Sequence, residues 1–179
     1  MKISPKITLF FFAILGFTIN TNAQSNSASA SARAFATIVT PISITNTQDL
    51  NFGTLIVQNN QGGNVTLNPE GTLQEAGTVK AFTKAGTEQA SAAVFQVAGQ
   101  AGYSYSVTLP TGELVLQNTN TSAGGNLKIN NFKSNLQSGT LGSDGKAMVK
   151  IGATLIVEND QKPGKYANET GFQISVNYN

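Results

Sequence analysis

The stretch GKYANETGFQISVNYN, residues 164–179, ends in a strict alternation of apolar and polar side chains. Phe172, Ile174, Val176 and Tyr178 take every second position, which is the period-2 pattern of a strand with one buried face. Burying these four side chains contributes roughly 1.5–3 kcal/mol each, or about 6–12 kcal/mol together, against a net domain stability of ~5–15 kcal/mol. The pattern therefore predicts a C-terminal strand without which the domain would not stay folded. This strand pairs either in a sheet of its own chain or in a sheet of a neighbouring subunit.

The rest of the chain carries similar short runs, separated by turn-forming residues such as NNQGGN at 59–64 and GSDG at 142–145. The longest run is AMVKIGATLIV at 147–157, in which Gly152 is typical of a bulge. Turn signals recur about every 8–12 residues, as in antiparallel β-sandwiches. The sequence predicts an all-β fold of nine or ten short strands, forming a single domain over residues 34–179.

The N-terminal residues read as a secretory signal peptide. Lys2 and Lys6 precede a mostly apolar run at 7–19, and Thr21 and Ala23 are the small residues expected before a cleavage site. The apolar run is too short to span a membrane. We expect cleavage near Ala23, and a mature protein in the periplasm, on the cell surface or secreted, without an integral membrane segment.

The charge balance changes when residues 1–23 are removed. The full chain has 11 Lys+Arg and 9 Asp+Glu, and two of the lysines belong to the predicted signal peptide, so the mature chain has nine of each sign. Nucleic-acid-binding proteins carry a basic stripe, and this chain does not, so no nucleic-acid partner is expected. A chain with few charges and no net charge favours self-association.

Residues 24–33 form a flexible, low-complexity N-terminal arm in this interpretation. Alanine occupies every even position from 28 to 36, followed by Ile38. One interpretation is a flexible linker that runs into a first strand before Pro41. The other is an extended arm that adds as a strand to another subunit, with Phe35, Ile38 and Val39 as its anchors.

The sequence predicts no catalytic residue, no cofactor and no metal ion. With neither His nor Cys, it lacks the usual parts of a Ser–His pair, a thiol nucleophile or a zinc site. A glycosidase would need two of the dispersed carboxylates brought to ~5–9.5 Å, and a hydrolase is only the third hypothesis.

Two smaller features each have two interpretations. Glu158, Asn159 and Asp160 could offer oxygen ligands to calcium, although a solvated turn is the simpler interpretation. Tyr103 and Tyr105 lie in phase on one strand, either as a sugar-stacking pair or, more simply, as core residues.

Two motifs resemble a known family. TPISITNTQDLNFGTL at 40–55 and VKIGATLIVENDQKPGKYANETGFQISVNYN at 149–179 are similar to the terminal motifs of the bacterial family called domain of unknown function 4402. Members are regarded as pilin-like and related to the spore coat U and chaperone–usher pilin group. The resemblance implies an immunoglobulin-like β-sandwich, completed by an N-terminal arm from a neighbouring subunit, with a periplasmic chaperone or export machinery as a further partner. This chain differs from chaperone–usher pilins in lacking a cysteine pair and in its alanine-rich arm.

These observations lead to two hypotheses from different classes. The first is a secreted, non-enzymatic, pilin-like structural protein of a fimbrium or cell surface. It self-associates, or binds other pilin-like subunits, through the arm and the strand at 172–178. The second is a monomeric adhesin or glycan-binding module that uses the loops at 59–64 and 118–126 for cell adhesion.

Overall fold

The computed structural model describes residues 26–179, so the predicted signal peptide at 1–23 lies outside the described residues. Within this range the chain forms fifteen strand segments and a short 3-10 turn at Gln58–Asn60. The segments are β1 (Ser43–Gln48), β2 (Asn51–Phe52), β3 (Leu55–Val57), β4 (Gly63–Leu67), β5 (Leu73–Gly77), β6 (Val79–Ala81), β7 (Ala90–Ser91), β8 (Ala93–Ala98), β9 (Ser104–Thr108), β10 (Leu114–Asn118), β11 (Asn126–Ser134), β12 (Ser138–Thr140), β13 (Lys146–Val157), β14 (Tyr166–Ala167) and β15 (Ser175–Tyr178).

The strands pair in antiparallel fashion in one large sheet and several small ones. The large sheet has the order β1-β8-β13-β11-β10-β14, and β4 and β5 join it beside β13. A second sheet has the order β12-β9-β15, and β2-β7 and β3-β6 form two-stranded ribbons. Every strand pair among residues 26–179 is antiparallel, which confirms the all-β antiparallel fold predicted from the sequence.

The number of segments exceeds the nine or ten that the sequence predicts. Nine segments have four or more residues, and the other six have only two or three. Segments of two or three residues are shorter than one full period of alternation on each face, so the sequence pattern cannot reveal them.

The long strand β13 organises the large sheet. Along one edge it pairs with β8 through its first half, up to Ile151, and with β4 through its second half, from Ala153. Gly152 lies at the switch, where a Cβ atom would overlap the carbonyl oxygen of Leu67. Only glycine allows the two backbones to approach so closely, which explains the residue at this position.

The bulge expected at Gly152 lies on the neighbouring strand instead. Asn130 of β11 pairs with Thr154, whereas Lys133 pairs with Gly152. The two β11 residues between them therefore face a single residue of β13, and the first of the two, Asn131, has a φ of +52°. An extra residue of this kind is a β-bulge, so the prediction named the correct place in the sheet and the wrong strand.

The core lies between the large sheet and the β12-β9-β15 sheet. Phe172, just before β15, packs against Phe95 of β8 with ring centroids 6.0 Å apart and against Phe132 of β11 at 4.8 Å. These contacts join the two layers in a sandwich-like arrangement. The buried apolar residues are Phe52, Val65, Leu67, Val79, Ala93, Val97, Tyr105, Leu127, Ile129, Phe132, Leu141, Val149, Ile151, Ala153, Leu155, Val157 and Val176.

The described part of the N-terminal arm forms no strand, and the first strand begins only at Ser43. The compact unit that contains all the strands spans Ile38–Asn179. Phe35 is 87% exposed, Ile38 is 96% exposed and Val39 is 36% exposed. The strand expected before Pro41 is therefore absent from the described residues. Alanine and serine bury too little area to offset the entropy of ordering a strand.

Candidate functional site

The candidate site is the C-terminal strand β15 with its surroundings. The four predicted residues Phe172, Ile174, Val176 and Tyr178 alternate in burial with their exposed neighbours, and all four pack on the core. Only the segment from Ser175 is a paired strand. The alternation nevertheless runs from residue 172 to the end, so all four side chains share the inner face.

The hydrogen-bonding register shows which edge of β15 is open. Asn179 donates its backbone N–H to the carbonyl of Ser104 at 3.1 Å, and Asn177 pairs with Ser106 of β9. Because bonded pairs alternate along an antiparallel ladder, the N–H and C=O groups of Val176 and Tyr178 point away from β9. Among residues 26–179, no strand pairs with this outer edge.

Strand β1 lies beside the open edge. It is the terminal strand of the large sheet, bonded to β8 on its other side, and its Cα atoms come within 8 Å of those of β15. Ile42 and Ile44 are half-buried and pack on the core, and so do Ile174 and Tyr178. We call the boundary between these two neighbouring strands the β1–β15 groove, and we assign to it the apolar side chains of Ile42, Ile44, Ile174, Val176 and Tyr178.

The hydroxyl of Tyr178 ties the start of the domain to its end. It donates to the carbonyl oxygen of Thr40 at 2.7 Å and accepts the backbone N–H of Gln100 at 2.6 Å. The side-chain oxygen of Gln100 in turn accepts the N–H of Thr40 at 3.2 Å. Gly99 provides the space, since a Cβ atom there would overlap the Tyr178 hydroxyl. These bonds fix the point at which the arm joins the domain.

Among the other edge strands, β5 carries charged side chains, and β12 and β14 are very short. On β5, Glu75 accepts the backbone N–H of Ala81 at 2.6 Å and pairs with Lys80 at 3.3 Å. The Ala81 hydrogen bond is the main reason why the pKa of Glu75 lies below its ordinary value of 4.5; Lys80 adds to the effect and partial desolvation opposes it. Charges protect an edge from pairing with another chain. The edge strands β12 and β14 have only three and two residues.

The possible calcium ligands do not converge. Asn159 uses its side-chain oxygen to accept the N–H of Gly62 at 2.7 Å, and Glu158 lies 3.6 Å from the ammonium of Lys128. In the part of the chain that the structure describes, no three acidic, His or Cys side chains form a group able to hold a metal ion. The interpretation as a turn fits these contacts.

Tyr105 of β9 and Tyr103, which lies just before this strand, do not form an exposed pair. Tyr105 is fully buried, and desolvation raises the pKa of its hydroxyl, which has no hydrogen-bond partner within the described residues. Tyr103 is 42% exposed and packs edge-on against Tyr178, with ring centroids 5.7 Å apart. The core interpretation therefore holds for Tyr105, while Tyr103 lies at the surface against the ring of Tyr178.

The two loops assigned to a glycan-binding module meet the same turn. Asn60 accepts the backbone N–H of Asp160 at 2.8 Å, and Gly62 bonds to Asn159. An open surface hollow is lined by Gly125, Asn126 and Lys128 together with residues 158–162 of that turn. The structure thus brings parts of the loops 59–64 and 118–126 to the same turn.

Sequence reasoning missed the β1 side of the groove and the Thr40–Gln100–Tyr178 bonds. The alternation of Ile42 and Ile44 was the available signal for the first. The second joins residues that are 60 and 138 positions apart, and no local pattern reports such contacts.

A family model described as "Domain of unknown function (DUF4402)" matches residues 42–178. The chain belongs to the DUF4402 family. The match begins at Ile42 of the groove and ends at Tyr178, so both walls of the groove lie within the family domain, whereas residues 26–41 lie outside it. No curated protein and no solved structure matches the chain. Among the described residues, no helix is long and apolar enough to cross a membrane.

Proposed function

We propose that this DUF4402 protein is a secreted, non-enzymatic, pilin-like structural subunit of a bacterial surface, which assembles by strand complementation. The N-terminal arm of one copy pairs with the outer edge of β15 in the next copy. The observation that carries the proposal is the open edge at Val176 and Tyr178, next to a half-buried apolar groove.

The hydrogen-bonding capacity of this edge supports strand addition. The N–H and C=O groups of Val176 and Tyr178 offer two donors and two acceptors to an incoming strand. Each backbone bond contributes about 0.5–1.5 kcal/mol net, so four would contribute roughly 2–6 kcal/mol. Recognition by adding a strand to a sheet edge works through such main-chain bonds.

The arm has the properties of the incoming strand. Residues 26–41 are exposed and form no strand of their own, and Phe35 and Ile38 are almost fully exposed. Exposed apolar side chains on an extended segment are unfavourable in an isolated subunit and favour burial against a partner. The signal peptide predicted at 1–23 supports export of the chain before it assembles.

Size measurement of the mature protein tests the proposal. Residues 24–179 and the truncated form 40–179 would be compared by light scattering and negative-stain microscopy at matched concentrations. We expect filaments or oligomer ladders from the first and monomers from the second. A synthetic peptide of residues 26–39 should bind the truncated form, and a scrambled peptide of the same composition should not. Monomers in both forms would contradict assembly through the arm.

The surface hollow beside the turn at 158–162 favours glycan binding as a second candidate function. Its lining offers Lys128, Lys162, Asn126 and Asp160 as hydrogen-bonding groups, which is the type of group that fixes a polar ligand. A glycan array with the truncated form 40–179 tests this candidate, with the Lys162→Ala variant as the control. Binding that survives both the truncation and the substitution would place the ligand elsewhere.

A further inference from the structure

The outer face of the large sheet carries a short row of lysines. Lys146, Met148 and Lys150 of β13 are exposed, whereas the residues between them are half-buried or buried. Because side chains alternate between the two faces along a strand, these three share the outer face. Lys133 of β11 is also exposed and lies directly opposite Gly152 of β13, on the same face. We call Lys133, Lys146 and Lys150 the lysine row.

The spacing of the row suits an elongated ligand with repeated charges. Lys146 and Lys150 are four residues apart on one strand, which corresponds to about 13 Å. Lys133 and Lys150 are diagonal neighbours across the β11–β13 pair, a separation of about 7–8 Å. The lysine row therefore extends for about 20 Å along the sheet. A small anion would contact only one of the three ammonium groups, whereas a polymer with several charges can contact all of them.

The lysines of the row have no carboxylate partner among residues 26–179, where the ion pairs join Lys80 to Glu75 and Lys128 to Glu158. The four neighbouring strands β1, β8, β13 and β11 contain no acidic residue at all. Asp144, in the turn before β13, accepts the backbone N–H of Lys146 at 3.0 Å. Since the mature chain has equal numbers of basic and acidic side chains, the positive charge of this face is a local property.

We propose that the lysine row binds a linear polysaccharide that carries carboxylate groups. This inference goes beyond the proposed assembly and does not involve the N-terminal arm. Each ammonium group is a compact point charge that pairs with one carboxylate of the polymer. Met148, which is 46% exposed, lies between two of the lysines and offers an apolar surface to a sugar ring. Gln96 lies opposite Met148, and Thr45 lies opposite Gln96, so both can bind sugar hydroxyl groups.

The residue types on this face favour a polysaccharide over a nucleic acid or an anionic lipid. Arginine is the residue preferred for bidentate binding of phosphate, and the row contains only lysine. Single-stranded nucleic acids stack on aromatic side chains, but the aromatic residues of these four strands, Phe95 and Phe132, pack inward against Phe172. Anionic lipid surfaces attract clusters of about four to eight basic residues, which is more than the row offers.

Binding of polygalacturonate to the mature chain 24–179 tests the inference. The row variant replaces each lysine of the row with glutamine. The matched control makes the same change at three exposed lysines elsewhere, Lys80→Gln, Lys84→Gln and Lys165→Gln. We expect the Kd to rise at least about tenfold in the row variant and less than about threefold in the control. Light scattering checks that all three proteins assemble equally, so that avidity does not differ between them.

The salt dependence of binding is a second readout that needs no variant. Release of counterions at three lysines predicts that log K for the wild type falls with log salt concentration at a slope of about −2. The row variant should show a clearly shallower slope. Neutral dextran should not bind either protein, because it has no charge to pair with the ammonium groups.

The outcomes separate this inference from the proposed function. A wild-type protein that does not bind polygalacturonate, or equal weakening in the row variant and the control, would overturn the inference. Tighter binding to oligo-dT or to vesicles of anionic phospholipid than to polygalacturonate would overturn it in favour of those ligands. A protein that stays monomeric and binds polygalacturonate through the row would support the inference while contradicting assembly through the arm.

Discussion

The hydroxyl of Tyr178 is the residue-scale feature with the clearest expected effect on stability. Tyr178→Phe keeps the ring against Tyr103 but removes the bonds to Thr40 and Gln100. The carbonyl oxygen of Thr40 and the N–H of Gln100 would each lose the hydroxyl as a hydrogen-bond partner. We therefore expect a loss of about 1–3 kcal/mol in the free energy of unfolding. Urea denaturation of the form 38–179 provides the measurement.

The control for this prediction is Tyr103→Phe. The hydroxyl of Tyr103 makes no hydrogen bond within the described part of the chain, and the residue is 42% exposed, so the change should stay within about 0.5 kcal/mol. Equal losses in the two variants would indicate that the hydrogen bonds of Tyr178 contribute nothing measurable.

Gly152→Ala is the second change that belongs to a single residue. The added Cβ would overlap the Leu67 carbonyl oxygen and lie 2.7 Å from the carbonyl carbon of Asn68. Because both are backbone atoms at the end of β4, relief would require β4 to move away from β13, and we expect a loss of roughly 2–4 kcal/mol. Gly112→Ala is the control, since nothing lies within 4 Å of the corresponding Cβ position. A Gly152→Ala protein as stable as that control would contradict this account of the glycine.

At the scale of elements, the attachment of β15 to the large sheet depends on Phe172. Phe172→Ala removes the ring contacts with Phe95 and Phe132, and a half-buried phenylalanine of this kind should cost about 2–4 kcal/mol on truncation. Phe35→Ala, made in the chain 24–179, removes a ring that is 87% exposed and should leave the unfolding midpoint of that chain unchanged. The two midpoints, compared by thermal or urea unfolding, decide whether residues 172–174 hold the layers together.

The β5 edge should respond to acid. The folded-state pKa of Glu75 is lowered, so its contribution to stability is present above the ordinary value of 4.5 and is lost as the pH falls through the folded value. The amide protection factors of β5 and β6, which correct for the intrinsic pH dependence of exchange, should therefore fall below about pH 4.5 more in the wild type than in Glu75→Gln. Glu113→Gln serves as the control, because Glu113 is exposed and has no ion pair among residues 26–179. Identical acid responses in all three proteins would show that ionised Glu75 does not stabilise the β5 edge.

The elements also show what could be predicted from sequence. The inner face of β15 was predictable because period-2 alternation is a local property, and Val176 and Tyr178 follow it. The long strand β13 was predictable for the same reason. The two-residue strands β2 and β7 were not, because two residues carry no period. The bulge was assigned to β13 rather than β11 because a glycine signals a close backbone approach without showing which strand makes it.

At the scale of the whole molecule, charge should have little influence on assembly. The mature chain predicted from the cleavage site has equal numbers of positive and negative side chains, and the groove residues are uncharged. Raising the ionic strength from about 0.05 to 0.5 M shortens the Debye length severalfold, yet the concentration at which the protein assembles should shift less than about twofold. Sedimentation at several protein and salt concentrations provides the measurement. A tenfold weakening at high salt would indicate ion pairs across the interface, with Arg33 the first residue to examine.

The candidate site itself was only partly predictable at this scale. One wall, from Phe172 to Tyr178, follows from the terminal sequence alone. The other wall could not be predicted, because it depends on β1 being the terminal strand of the large sheet and lying next to β15. The order of the strands in the sheets sets this position, and the sequence of β1 alone does not reveal it. The open edge of β15 likewise depends on what does not pair with it among the described strands, which no sequence pattern encodes.

The bonds at Thr40 have a mechanical consequence. Thr40 is held by Tyr178 of the small sheet and by Gln100, which follows β8 of the large sheet. A tensile load applied to the chain before Thr40 would therefore enter both layers together, and would pull β1 lengthwise along β8, its hydrogen-bonded neighbour. Loading a strand in this direction strains its hydrogen bonds in parallel, so that they must rupture together and not one after another. The domain would resist extension most strongly at the place where a linear assembly would transmit force.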